Sequence, residues 1–174
     1  MKKFILILCF PLALSAQTTQ KSLEKINEEI WLEFIENFNA LDSEGFMAIH
    51  SNDLLRIARN RGTFRDYPSY NENISGWFSE LKNSGDTQKI SFRFIERFND
   101  GNHGFEIGIF RVINNRDGKE NVYYGKFNVI LRQESETWKI LVDSDSNENN
   151  TIGINDYESA FSQDHFDAFI NLDE

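Results

Sequence analysis

The sequence predicts an α+β domain: an antiparallel sheet packed on N-terminal helices, followed by a helical tail. Three observations carry this reading. Apolar residues recur at spacings of three and four from Leu23 to Leu41, the period switches to extended runs from Lys89 to Val142, and an apolar stripe returns from Tyr157 to Ile170. The length agrees, because 174 residues suit one domain behind a short leader.

The leader comes first. Lys2 and Lys3 precede an apolar run from Phe4 to Leu14, interrupted only by Pro11, and Ser15-Ala16 supplies small residues before Gln17. This is the pattern of a secretory signal peptide cleaved after Ala16. The run is too short to span a bilayer, which takes about 20 helical residues. Cys9 follows Leu8 in the middle of the run, not a small residue at its end, so a lipid anchor is not expected. The expected organisation is a signal peptide over 1–16, a domain over 17–145 and an acidic helical extension over 146–174. The mature chain is then expected to be periplasmic or secreted, with no membrane attachment.

Removing the leader changes the charge and the thiol chemistry. Taking two lysines from 18 basic residues leaves 16 against 28 acids, a formal charge of −12, and it removes the single cysteine. No disulfide, thiol nucleophile or thiolate metal site is then expected. From Asp143 to Glu174 there are nine acids and no Lys or Arg. A nucleic-acid partner is not expected, since its phosphates would be repelled.

The helices follow from period and caps. Leu23, Ile26, Ile30, Phe34, Phe38 and Leu41 define one face of a long first helix, widened by Trp31, Leu32 and Ile35. Asp42 and Ser43 offer an N-cap for a short second helix through Phe46, Met47, Ile49 and His50, which stops near Ser51-Asn52-Asp53. Leu54 to Arg59 reads as a strand, Gly62 and Pro68 mark a loop, and Ile74, Trp77, Phe78 and Leu81 mark a third helix.

Four strands follow at Lys89–Phe98, Phe105–Ile113, Val122–Arg132 and Thr137–Val142, separated by Asn, Asp, Gly and Glu-Ser-Glu connections short enough for antiparallel hairpins. Phe105, Ile107 and Ile109 point one way and Phe110 and Val112 the other, so both faces of the sheet need cover. Helices cover one face. A second copy of the sheet would cover the other as a homodimer; the alternative is that the C-terminal segment folds back over it.

Ser144 to Gly153 reads as a linker. Beyond it, Asn155 with Glu158 suggests a capping box, and Ser162 flanked by Phe161 and Phe166 suggests a second helix start with a hydrophobic staple.

From Lys21 to Asp145 the chain resembles the nuclear transport factor 2-like superfamily, within it the SnoaL-like or ketosteroid-isomerase-like group. The resemblance rests on Phe34-Ile35-Glu36-Asn37-Phe38-Asn39-Ala40 leading into Ser51-Asn52-Asp53, on Gly104-Phe105-Glu106-Ile107-Gly108, and on Tyr124-Gly125-Lys126-Phe127 with Glu136-Thr137-Trp138-Lys139-Ile140. It implies a cone-shaped, cystatin-like sheet wrapped around helices, whose open end often holds a small apolar ligand.

Fold does not confer function, so each position is read for its chemistry. The resemblance places Phe34 where the isomerases carry an oxyanion-hole Tyr, Ala58 where they carry an Asp base, and Asn128 near their late-strand Asp. Phe34 and Ala58 cannot move a proton, and Asn128 could donate a hydrogen bond to a carbonyl but cannot serve as the base. Asp143-Ser144-Asp145-Ser146-Asn147 imitates the start of a calcium loop, but Glu148 stands at the Gly position and Ile154 at the bidentate Glu position. His50, His103 and His165 have no ligand spacing, and neither a phosphate loop nor a nucleophile elbow is present. No cofactor or metal is expected.

On the inward parity the resemblance implies, Arg56 and Asn60 share the concave side with Tyr124, Lys126 and Asn128, and Asp143 lies nearby. Such a set could bind an anionic or carbonyl-bearing ligand, or its charges could pair internally with Glu96, Glu106 or Asp143. Two functions fit. One is a non-catalytic, exported binding or interaction module, a dimeric cone whose pocket captures a small organic molecule or whose acidic tail meets a partner. The other is a lyase or isomerase, with Lys126, Tyr124 or Asp143 as acid–base group and Arg56 or Asn128 facing developing negative charge.

Overall fold

The structure, a computed structural model, describes residues 20–170. The signal-peptide expectation over 1–16 falls outside them. Among the described residues no helix is long and apolar enough to cross a membrane.

Helix α1 spans 20–40, with a π-helical stretch at Asn27–Leu32 and an α-helical second half at Glu33–Ala40. Leu41 closes it in the left-handed region, at φ 57°. The Asp42 side chain accepts from the backbone N–H groups of Glu44 and Gly45, which starts α2 at Ser43–Ala48 as its capping chemistry predicts. Strand β1, His50–Ala58, begins where the sequence suggested a helix end, because Ile49 and His50 turn inward into the core. A 3-10 turn at Arg59–Arg61 and a short β2 at Thr63–Arg65 lead to α3 at Tyr67–Ser84. Asp66 caps α3 and Pro68 sits in its first turn, where a missing N–H costs nothing.

Strands β3 (Thr87–Asn99), β4 (His103–Arg116), β5 (Lys119–Glu134) and β6 (Thr137–Ser146) form the expected antiparallel series. The six-stranded order is β2-β1-β6-β5-β4-β3. One feature of the expectation needs correction: β1 pairs with β6 in parallel, so the sheet is mixed. Strand β2, helix α3 and strands β3 to β5 intervene between these two partners, and a parallel pairing requires such a long connection.

The core lies between the concave face of the sheet and the helices. Ile30, Trp31, Phe38, Phe46, Phe78, Phe94, Phe127 and Trp138 are all buried in it. Gly108 and Gly125 make room for its rings. A Cβ on Gly108 would meet the Phe127 ring at 2.4 Å and the Arg93 carbonyl at 2.2 Å, and one on Gly125 would meet the Phe110 ring at 2.4 Å.

The tail differs from its sequence reading in three ways. The expected linker is ordered: β6 continues to Ser146, and a 3-10 turn at Glu148–Asn150 follows. Helix α4, Ile154–Ser159, is capped at Gly153 by the Asp156 carboxylate, not at Asn155. No helix starts at Ser162. Instead Phe161 exchanges two 2.8 Å backbone hydrogen bonds with Phe94 on the free edge of β3, and only a 3-10 turn forms at Phe166–Ala168. Pairing with an open strand edge satisfies backbone groups that a new helix start would leave unpaired. Helix α4 lies on the convex face, where Tyr157 and Ala160 cover Ile109. It covers one end of that face; Leu55, Phe98 and Ile130 stay exposed.

Candidate functional site

A cavity of about 840 Å³ occupies the concave side of the sheet. Trp31, Phe34 and Phe38 reach it from α1 at helical spacing, and Phe92, Phe110 and Phe127 reach it from β3, β4 and β5. Trp77, Glu72, Asn73 and Glu80 of α3 form part of its wall, with Tyr123 opposite on β5. Aromatic walls supply a large apolar contact area at low entropic cost.

The first polar group stands on β1 and β6. Arg56 donates from Nη2 to Asp145 Oδ2 at 2.5 Å and from Nη1 to the Ile57 carbonyl at 2.7 Å. Its Nε lies 3.3 Å from Asp143 Oδ2, an ion pair without hydrogen-bond alignment. Its guanidinium also lies 5.5 Å from the centre of the Tyr70 ring. Burial works against the Arg56 charge, but Asp143, Tyr70 and Asp145 outweigh it and hold the guanidinium charged above its usual range. Burial pushes the Asp145 carboxyl up, against the pull of Arg56, and burial likewise pushes the Tyr70 phenol up. Arg56 is therefore neutralised from inside the protein, and an anionic ligand would compete with two carboxylates for it. The same pairing engages both acids of the calcium-loop-like run.

Asn60 lies at the lip. It donates to Asn147 Oδ1 at 2.6 Å and accepts from the Asn147 backbone N–H at 2.7 Å, joining the end of β1 to the exit of β6.

The three β5 candidates do not join this group. Lys126 is paired across the sheet with Ile109, Asn128 with Ile107 and Tyr124 with Arg111, all on the convex face. Tyr124 also touches the cavity wall, but its ring lies 5.9 Å from that of Tyr157 under α4. The concave positions of β5 belong to Tyr123, Gly125, Phe127, Val129 and Leu131. Burial of Phe127, Val129 and Leu131 in the core fixes that parity, because a one-residue slip would turn all of them outward. Of the sequence-predicted set, Arg56, Asn60 and Asp143 stand together at the cavity. Lys126 and Asn128 do not, and their proposed roles as base and oxyanion donor there are corrected. Phe34 and Ala58 do line the cavity, so the positions where the resemblance implies proton-moving groups are occupied by side chains that move none.

A second polar group was not visible in the candidate set. Gln88 and Asn114 face each other in register on β3 and β4 and line the cavity, and Asn114 donates to the Tyr123 hydroxyl at 3.3 Å. The available signal was polar residues at positions in phase with Ile90, Phe92, Phe110 and Val112.

His50 is buried between Phe34, Phe46 and Tyr70, with Nδ1 2.9 Å from the Phe46 carbonyl. A carbonyl there requires the proton on Nδ1, and burial lowers the imidazole to about 3. Beneath the cavity floor, Arg97 donates to Glu106 at 2.9 Å with both side chains fully buried, and Trp31 Nε1 donates to the other Glu106 oxygen at 2.6 Å. Burial raises the Glu106 carboxyl, opposed by Arg97 and Trp31.

No protein-family model and no curated protein matches the sequence. Solved structures do match its fold. A nuclear transport factor 2-like protein with a cystatin-like fold from Novosphingobium aromaticivorans has a TM-score of 0.63 at 13% identity, over 80% of this chain and 90% of its own. A ketosteroid isomerase-like protein from Erwinia carotovora atroseptica has a TM-score of 0.57 at 12% identity, over 72% and 95%. A candidate scytalone dehydratase from Novosphingobium aromaticivorans has a TM-score of 0.59 at 13% identity, over 74% and 85%. With its curved six-stranded sheet on N-terminal helices, and with these structures matching it over most of their length, the chain has the nuclear transport factor 2-like, cystatin-like fold.

Proposed function

We propose that this protein is a binding module that takes up one small, uncharged, largely apolar organic molecule in its concave cavity. The observation that carries the reading is the cavity of about 840 Å³ walled by aromatic rings from α1 and three strands. Its charges cancel: Arg56, Arg61, Arg65 and Arg116 are matched by Glu72, Glu80, Asp143 and Asp145. A neutral ligand fits this balance better than an ion. The experiment is a titration with N-phenyl-1-naphthylamine, a neutral fluorescent probe, followed by its emission. We expect saturation at one probe per chain, lost when Val112→Trp fills the cavity. Unchanged binding by a folded Val112→Trp variant would place the probe elsewhere and remove the reading.

A second reading, a lyase or isomerase acting on a carbonyl compound, has one observation in its favour. Asp145 is a wall carboxyl raised by burial and held beside Arg56, the kind of perturbed acid that proton transfer uses. Two of the similar structures carry isomerase-like and dehydratase descriptions, which makes proton transfer the chemistry to test. Exchange of the α-protons of 2-tetralone into D2O, accelerated by the protein and abolished in Asp145→Asn, would favour it. Exchange at the buffer rate would leave the binding module.

We further propose that the chain is exported and begins at Gln17 after cleavage, on the strength of the lysine pair, the short apolar run and Ser15-Ala16. The intact mass of protein recovered from an exporting cell tests this; a retained Met1 would overturn it.

A further inference from the structure

Resting on the reading of the cavity as a binding site, we propose that Gln88 and Asn114 form an amide-reading edge within it. They select a planar, uncharged ligand that carries a hydrogen-bond donor beside an acceptor, as a lactam, imide or carboxamide does.

The two side chains are only 4% and 8% exposed, and they stand directly opposite each other on the concave face. Opposed residues on one face of an antiparallel pair have their Cβ atoms about 5 Å apart, within reach of a single ligand edge. Gln88 Nε2, a donor, and Asn114 Oδ1, an acceptor, are both buried without a hydrogen-bond partner among the described residues. Buried polar atoms are ordinarily paired, because an unpaired one keeps the loss of its water without return. These two could have paired with each other across the strands, yet Asn114 turns its Nδ2 toward Tyr123 instead. Neither orphaned atom gives up a hydrogen bond by rotating toward a ligand.

Their surroundings specify the rest of the ligand. The next inward positions along the two strands are Ile90 and Val112, then Phe92 and Phe110, an apolar bed for a flat ring system. The other polar group of the cavity has cancelled its charge through Arg56, Asp143 and Asp145, and the Arg56 atom it leaves without a hydrogen bond, Nε, is held against Asp143 at 3.3 Å. The unspent hydrogen-bonding capacity is concentrated at the amides. A ligand with an acceptor alone would leave Asn114 Oδ1 unpaired, and a hydrocarbon would leave both atoms so.

The test uses three bicyclic probes of one shape: 2-quinolone with donor and acceptor, quinoline with an acceptor only, and naphthalene with neither. Each is titrated into the intact protein, followed by the fluorescence of Trp31 and Trp77 and confirmed by calorimetry. We expect 2-quinolone to bind about thirtyfold tighter than naphthalene, the worth of two net hydrogen bonds. Quinoline should fall between them. In Gln88→Met or Asn114→Leu, 2-quinolone should lose part of its advantage over naphthalene in the same variant, and in the double variant all of it. Both variants should also unfold at a higher temperature without ligand, since each removes an unpaired buried group. Equal binding of all three probes removes the amide proposal and leaves the cavity reading standing, whereas no binding by any probe removes both. A lactam preference undiminished in both single variants also overturns the proposal. If either variant does not fold, the ranking on the unaltered protein decides.

Discussion

Burial among Phe34, Phe46 and Tyr70 holds the His50 imidazole neutral, with a pKa of about 3 against an ordinary 6.5. The sign of the consequence follows from proton counting. Between pH 6.5 and about 3 the unfolded chain binds a proton that the folded chain refuses, so the stability present above pH 6.5 is lost as the pH falls through that window. The loss reaches up to about 5 kcal/mol at the acid end. We expect His50→Phe to flatten this part of the stability–pH profile in urea titrations at pH 4 to 7.5; an unchanged slope would assign the acid sensitivity elsewhere. His50 Nε2 is also a buried atom without a partner among the described residues, so the Phe variant removes an unpaired polar group there, at the loss of the bond from Nδ1 to the Phe46 carbonyl. The sequence placed His50 at a helix end and could say nothing of its ring, because its neutrality comes from residues on three separate elements.

Among the elements, β5 shows how a sheet side can be read from a strand by itself. Phe127, Val129 and Leu131 are apolar at alternate positions while Lys126 and Asn128 are polar between them, and the apolar set faces the core. That alternation was legible in the sequence and outweighs a parity inferred from resemblance. Strand β3 could not be read in this way. A bulge between Phe94 and Glu96 resets its alternation, so Phe94 and Arg97 both point inward and Ile95 and Glu96 are exposed. Arg97 thereby meets Glu106, and through Nη1 it also holds the Gln163 carbonyl of the tail at 3.1 Å, which Asn27 of α1 shares at 3.0 Å. The tail is thus tied to the core at the buried ion pair and to the edge of β3 at Phe161. Phe161→Pro removes the N–H that bonds Phe94, and we expect it to cost about 1–3 kcal/mol. It should also speed proteolysis of the tail. Equal stability and equal cleavage rates would show that the edge pairing contributes nothing.

At the scale of the whole molecule, the two faces of the sheet have different fates. The concave face is covered by helices and holds the cavity. On the convex face a single cross-strand row runs Phe98, Phe105, Ile130, Val142, Leu55, entirely apolar, with Phe98 64% and Ile130 39% exposed. Helix α4 lies beyond it, over Ile109. We propose that a second copy covers this row, and we expect concentration-dependent dimerisation in sedimentation that Ile130→Lys shifts to monomer by placing a charge at its centre. A monomer at every concentration would count against it. The sequence by itself determined the three helices before β3 and the four hairpin strands, since period, caps and turn residues act over a few neighbours. Only the tertiary structure decided the parallel seat of β1 beside β6, the bulge that aims Arg97, the tail's path along β3 and the meeting of Gln88 with Asn114. Those depend on where distant segments close on one another, and closure is fixed by the shared packing of the core rather than by any local preference.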